Sequence, residues 1–182
     1  MNYAPRTVAL KDGRTATMQS PLPSHAAQMI AYMKAMSRET ECVGRYPEEI
    51  TETPEYEMEL LANTLLSPNS VQISVFVEGV LAANATITPY SGRLKFRHRA
   101  VFGIAVLKEY WGLGMGRLLT EACIQCAQEM SYGQIELTAL EDNLKGISLY
   151  RSAGFEQWGR LEKGSLLKSG EFKTEITMVK YL

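Results

Sequence analysis

Apolar and polar positions alternate from residue 6 to residue 19 around Asp12-Gly13, a dipeptide suited to a tight turn, so two strands open the chain as a hairpin. Ser24 stands where a helix cap belongs, and Met29, Ile30, Met33 and Met36 recur at helical spacing through about residue 38. The methionine stripe reads as core filling rather than as a cofactor site, because thioethers pack well into irregular gaps. A polar connection, TECVGRYPEEIT, covers 40–51, and Pro54 at a first-turn position starts a second helix that reaches about Leu66. Ser67-Pro68-Asn69-Ser70 stops that helix, and VQISVFV turns at Glu78-Gly79 into VLAANATIT, a second hairpin. After a turn at Pro89 to Gly92, a third strand of this meander spans about 97–106 and leads into a glycine-rich loop. A helix follows from about Gly114 to Met130, and Gly133 breaks the chain. QIELTAL, at 134–140, then reads as a strand buried on at least one face. A short helix ends near Ala153-Gly154, and two last strands fall near 155–163 and 171–180. No repeat or linker divides this pattern, so residues 1–182 are expected to form one α/β sheet domain.

At 182 residues the chain is long enough to bury most of its apolar surface without disulfides or a metal. Its formal charge of -1 gives no electrostatic footprint for nucleic acid, and the cluster Arg93, Lys95, Arg97, His98 and Arg99 reads as a solvated hairpin. The first ten residues lack an apolar signal core, and no apolar run reaches membrane-spanning length. The expectation is a soluble, cytoplasmic protein with neither nucleic acid nor membrane as partner. Cys42, Cys123 and Cys126 are an odd set, read as reduced thiols. The Cys123-x-x-Cys126 pair falls inside a helical pattern, which favours packing over redox chemistry. Two histidines and no Cys/His cluster give no reason to expect a metal.

Chemistry concentrates at GIAVLKEYWGLGMGRLL, 103–119, where an apolar strand meets an apolar helix through Gly112, Gly114 and Gly116. Glycines there let backbone amides approach an anion, and the helix start points unpaired N–H groups at the same spot. A dinucleotide fingerprint needs a glycine where Arg117 stands, and an ATP-type loop needs a Gly-Lys-Ser/Thr that is absent. A phosphate ligand of another kind is left. Trp111-x-x-Gly114-x-Gly116 resembles the acyl-CoA loop of the GNAT superfamily of N-acetyltransferases, which reads Arg/Gln-x-x-Gly-x-Gly/Ala. The resemblance continues through Asn143 and Leu149-Tyr150-x-x-x-Gly154-Phe155 at that family's spacing. His98-x-Ala100-x-x-Gly103-Ile104-x-Val106 and Gly170-Glu171-Phe172, leading to Met178, are similar to a bacterial branch of it. Two departures stand out: Trp111 in place of the usual Arg or Gln, and Gly146 where the family commonly has Ala.

The resemblance implies a mixed, mostly antiparallel sheet of about seven strands with about four helices. It also implies a bulged fourth strand splaying from the fifth in a V; these are the strands at 97–106 and 134–140 here. Pantetheine would lie in that V against main-chain groups of Ile104, Ala105 and Val106, one amide polarising the thioester carbonyl. Trp111 and the amides of Gly112, Leu113, Gly114, Met115, Gly116 and Arg117 would hold the pyrophosphate, with the Arg117 side chain compensating for Trp111. Asn143 would contact the cofactor, although Asn is also a favoured helix cap. Tyr150 would act as general acid toward the departing thiolate; it also suits packing of the last helix on the sheet. Candidates for a base are weak: Glu136, His98 and Glu41, with water as another route. Glu41, Arg45 and Tyr46, on the connection that roofs the acceptor side in the family, are the candidates for substrate contact. The function expected is transfer of the acetyl group of acetyl-CoA to a primary amine, a small molecule or a protein, by direct attack in a ternary complex. The alternative is a non-catalytic acyl-CoA-binding regulatory module, against which Tyr150 argues. Exposed strand edges make a homodimer reasonable.

Overall fold

The computed structural model describes residues 1–182. Strands β1 (Arg6–Ala9) and β2 (Thr15–Gln19) pair antiparallel around the Asp12-Gly13 turn. Ser24 is not the cap expected of it. Pro23–His25 forms a single 3₁₀ turn and α1 runs Ala26–Glu39, because Pro23 fixes the turn ahead of the serine and the His25 ring accepts from the Leu22 amide at 3.0 Å. Helix α2 spans Pro54–Leu66, with the Thr53 hydroxyl accepting from the Tyr56 amide at 3.3 Å. Strands β3 (Val71–Val77) and β4 (Val80–Pro89) form the second hairpin. Strand β5 (Arg99–Val106) starts later than expected because Leu94–Phe96 coils into a 3₁₀ turn. The chain continues through α3 (Met115–Glu129), β6 (Gln134–Leu140), α4 (Leu144–Ser152), β7 (Glu156–Leu166) and β8 (Phe172–Tyr181).

The sheet has eight strands rather than about seven, in the order β1-β2-β3-β4-β5-β6-β8-β7, because both arms of the opening hairpin join it through β2 on β3. Its centre is buried on both faces. Val71, Ile73 and Val75 are fully buried on one face of β3, and Gln72 and Phe76, on the other, meet Met29 of α1 and the His25 ring. Helix α3 turns Met115, Leu119, Cys123 and Cys126 inward, so the Cys-x-x-Cys pair is part of the core.

One ladder sets the site. Strands β5 and β6 are the only parallel pair, and they are joined only from Arg99↔Gln134 to Val101↔Glu136. Beyond that point β5 stays with β4 as far as Val106↔Ala83, while β6 stays with β8 as far as Leu140↔Glu175. The two half-sheets part in a V. The bulge expected in the strand before the glycine loop is not there, since the β4/β5 register is unbroken from Pro89↔Ala100 to Ala83↔Val106. The register shift lies one ladder away, between Val75 and Phe76, where β4 carries Ala82 as an extra residue.

Candidate functional site

Backbone direction on β5 follows from its two ends. Arg99 accepts from the Tyr90 amide and the Leu107 amide donates to Ala82, so odd-numbered residues turn their N–H and C=O groups to β4. Even-numbered ones face the V, as His98 does in accepting from Gly133 and Gln134. Ile104 and Val106 therefore present main-chain groups to the opening, whereas those of Ala105 point away. The Ala105 carbonyl accepts from the buried Tyr32 hydroxyl at 2.7 Å. This corrects the expectation that all three residues offer backbone to a ligand.

At the mouth of the V, the amides of residues 112–117 donate to no acceptor in the chain; the first helical bond is Leu118 N–H to Gly114 at 3.2 Å. Six successive free donors, ending at the start of α3, make an anion cradle that buried backbone would otherwise have to satisfy. Gly114 caps the helix at φ 93°, a conformation that a β-branched residue adopts only under strain. The loop is pinned from behind by the Lys11 amide, which donates to Leu113 at 3.2 Å. A methyl at Gly116 would stand 3.1 Å from Leu149, so this glycine lets α4 approach α3.

Trp111 is occupied differently from the arginine or glutamine it replaces. Its indole N–H donates to the Val106 carbonyl at 2.7 Å, tying the loop to the end of β5, and the Lys145 ammonium lies 4.7 Å from the ring centroid. Arg117 does not compensate: its side chain is 79 % exposed and paired with Glu121 along the helix surface, and it does not line the cleft. Lys145, unnoticed in the sequence, does line it beside the glycines.

The cleft has a volume of about 1070 Å³ and runs from the glycine loop through the V to α1 and α2. Tyr150 lines it, packed edge-on against Phe102 (6.3 Å between centroids) and Phe155 (6.2 Å), with a hydroxyl that makes no hydrogen bond within the chain. Burial, and to a lesser degree the Cys42 thiol, pushes the phenol up to about 12. Asn143 lines it too, and its side chain accepts from the Gly146 amide at 3.0 Å, so both readings of this residue hold in geometry: cap and cleft wall. Five charged side chains line the cleft: Arg45, Glu52, Glu57, Asp142 and Lys145. Arg45 is bound to Glu52 and donates to the Glu49 carbonyl, and Asp142 pairs with Lys173 at 2.9 Å. Glu57 makes no hydrogen bond or ion pair although it is only 5 % exposed, and burial, reinforced by Glu52 and offset in part by the more distant Arg45 charge, pushes its carboxyl above the usual range. Sequence reading missed Glu57 because an acid in the first turn of a helix is ordinary dipole chemistry. The available signal was its place four residues before Leu61, the other buried residue of α2.

Other candidates stand elsewhere. Glu136 does not line the cleft; it accepts from Arg99 (Nη2, 2.7 Å) and Gln134 (2.8 Å) at the closed end of the V, and Arg99 holds it below the usual carboxylate range. His98 also lies outside the cleft. Glu41 and Tyr46 line a neighbouring hollow of about 460 Å³, and the Tyr46 hydroxyl accepts from the Lys168 amide at 2.9 Å; only Arg45 of that trio also reaches the main cleft. The chain holds no cluster of three His, Cys, Asp or Glu side chains suited to a metal, and no helix long and apolar enough to cross a membrane.

The fold as a whole is shared with known proteins. A solved acetyltransferase of the GNAT family from Streptococcus pneumoniae superposes with a TM-score of 0.88 at 28 % identity, covering 92 % of this chain and 99 % of its own. A ribosomal-protein-alanine N-acetyltransferase from Brucella melitensis gives 0.79 at 22 % identity, over 91 % and 99 %. A phosphinothricin acetyltransferase from Sinorhizobium meliloti, solved in complex with acetyl-CoA, gives 0.79 at 17 %, over 92 % and 88 %; at that identity the likeness is one of fold. No curated protein matches by sequence. A family model described as "Acetyltransferase (GNAT) family" matches residues 33–155, the segment from α1 through the V and the glycine loop to Phe155. With more than half of its length matched and the loop, splay and tyrosine in place, this chain belongs to the GNAT acetyltransferase family.

Proposed function

We propose that this chain transfers the acetyl group of acetyl-CoA to a primary amine by direct attack in a ternary complex. The observation that carries the reading is the run of six unpaired amides, 112–117, set against a V whose edge exposes the backbone of Ile104 and the N–H of Val106. A diphosphate suits the amides and an extended amide-containing arm suits the strand edge, so the residues present fit acetyl-CoA. When bound, this co-substrate supplies an acetyl group activated as a thioester.

Each residue then has a physical task. The loop amides and the Lys145 ammonium, steadied over Trp111, neutralise phosphate charge at the mouth of the cleft. An N–H of Ile104 or Val106 polarises the carbonyl, a contribution for which losing one donor costs about 3 kcal/mol of barrier. Asn143 lines the wall where α4 begins and orients the arm. Tyr150 stays protonated at neutral pH and donates toward the leaving sulfur. A phenol raised above an ordinary thiol does not part with its proton outright, so the proton shed by the attacking nitrogen returns, directly or through water, to the phenol as the sulfur is protonated. The buried core thiols are unsuited to a covalent route: burial pushes Cys126 up to about 11 and Cys123 higher still. Cys42 is exposed and lines the cleft, but no histidine lines it to serve as base.

An amine panel with acetyl-CoA, followed by thiol release, tests the reading. Wild type should release thiol only when an accepted amine is present. Tyr150→Phe should keep CoA affinity while kcat falls by a factor of about 10² or more. Amine-independent release, or an undiminished kcat in Tyr150→Phe, goes against it.

A further inference from the structure

Among the charged groups of the cleft, two have no ion pair, the exposed Lys145 and the buried Glu57. Arg45 is neutralised by Glu52, Asp142 by Lys173, and Lys145 stands at the glycine-loop end over Trp111. Glu57 is the buried one, without a hydrogen bond to its side chain or an ion pair; its oxygens open onto the cleft, and Arg45 acts on it only at longer range. It comes from the first turn of α2, and Leu60 and Thr64, one and two turns further on, line the cleft with it. Facing walls are apolar: Met29, Met33 and Met36 of α1 line the same space. An unpaired carboxylate in such surroundings costs stability unless a cation arrives to meet it. Arg45 cannot be that cation without abandoning Glu52, and the same engagement leaves it unable to receive a carboxylate from a ligand.

We infer that Glu57 receives the positive charge of the acceptor, so that the acceptor is a cationic amine on an apolar stem with no carboxylate beside the nitrogen. The inference rests on the acyl-transfer reading for the identity of the cleft and goes beyond it in naming the class of amine. Methionine side chains are flexible and polarisable, so the walls accept stems of differing shape, while the carboxylate demands charge. Zwitterionic amino acids are disfavoured, because the cleft offers their carboxylate no free cation at this end.

The test is calorimetric titration of the full chain, loaded with CoA, with three probes of similar size: hexylamine, 1-hexanol and norleucine. Hexylamine should bind at least about ten-fold more tightly than either of the others. Glu57→Gln, which keeps the shape and removes the charge, should lower hexylamine affinity by about ten-fold and erase the preference, while CoA affinity stays. Glu57→Asp, which keeps the charge on a shorter arm, should retain part of the preference. Equal affinity of wild type for amine and alcohol, or unchanged hexylamine affinity in Glu57→Gln, overturns the inference. Turnover is scored separately. Hexylamine held through Glu57 but never acetylated would sink the transfer reading alone, whereas acetylation with the same KM in wild type and Glu57→Gln would sink this one alone.

Discussion

A methyl group at Gly146 would stand 2.6 Å from Asn143 Nδ2, so the glycine found in place of the family's usual alanine is matched to the rotamer in which Asn143 caps α4. The other departure also has a local cause, since Trp111 exchanges a charged side chain for a bond to Val106 and a platform under Lys145. Both are legible only once neighbours are placed: spacing identifies the position, but not what the side chain touches. Glu57 makes the same point more sharply, because its sequence context reads as a helix-dipole acid and its burial is a tertiary fact. Its carboxyl is raised above the unfolded value near 4.3, so the folded state holds the proton more tightly and stability falls as pH rises through the folded pKa. Glu57→Gln should therefore have a higher Tm than wild type at pH 7, with the difference shrinking toward about pH 4. A Tm gap that does not change with pH would mean the carboxylate carries no such cost.

Among the elements, the glycine loop with the start of α3 was readable because its demand is on backbone, and glycine spacing reports backbone directly. Strand and helix identities followed from hydrophobic period for the same reason: periods of two and of 3.6 sort apolar side chains onto faces whatever their partners. Ser24 failed as a cap because a proline one residue earlier had already begun the turn. Arg117 lies off the cleft because the third residue of a helix can point along the surface, where Glu121 lies one turn on. The cation that lines the cleft beside the loop is Lys145, on the next helix. Lys145→Ala should weaken CoA binding by about ten-fold at low salt and by less at high salt, as expected for a partly exposed ion contact. Arg117→Ala should leave binding within about two-fold. Titrations at two ionic strengths check both, and the opposite ranking would return the phosphate contact to Arg117.

Across the whole molecule, two antiparallel half-sheets meet along a three-residue parallel seam and diverge, and the cleft is the space they leave. Hydrophobic pattern cannot announce that splay, since both strands remain apolar beyond the seam; only the resemblance implied it. The Arg99–Glu136 pair sits on the seam, which recasts Glu136 from base candidate to clasp. Its lowered carboxyl contributes stability that is present above the unfolded value near 4.3 and is lost as pH falls through the folded one. Glu136→Gln should lower stability at pH 7 by about 1–3 kcal/mol, lose most of that deficit in acid, and leave kcat near wild type. A large loss of kcat with stability intact would restore it as a base. Direct acetyl transfer within the V is tested most plainly by one turnover: the protein mixed with acetyl-labelled acetyl-CoA and an accepted amine, sampled over time, with intact protein and small molecules both weighed by mass spectrometry. Label should pass from the thioester to the amine with no acetylated protein at any time. Label held on Cys42 or any other residue before reaching the amine, or label that never leaves the thioester, would contradict it.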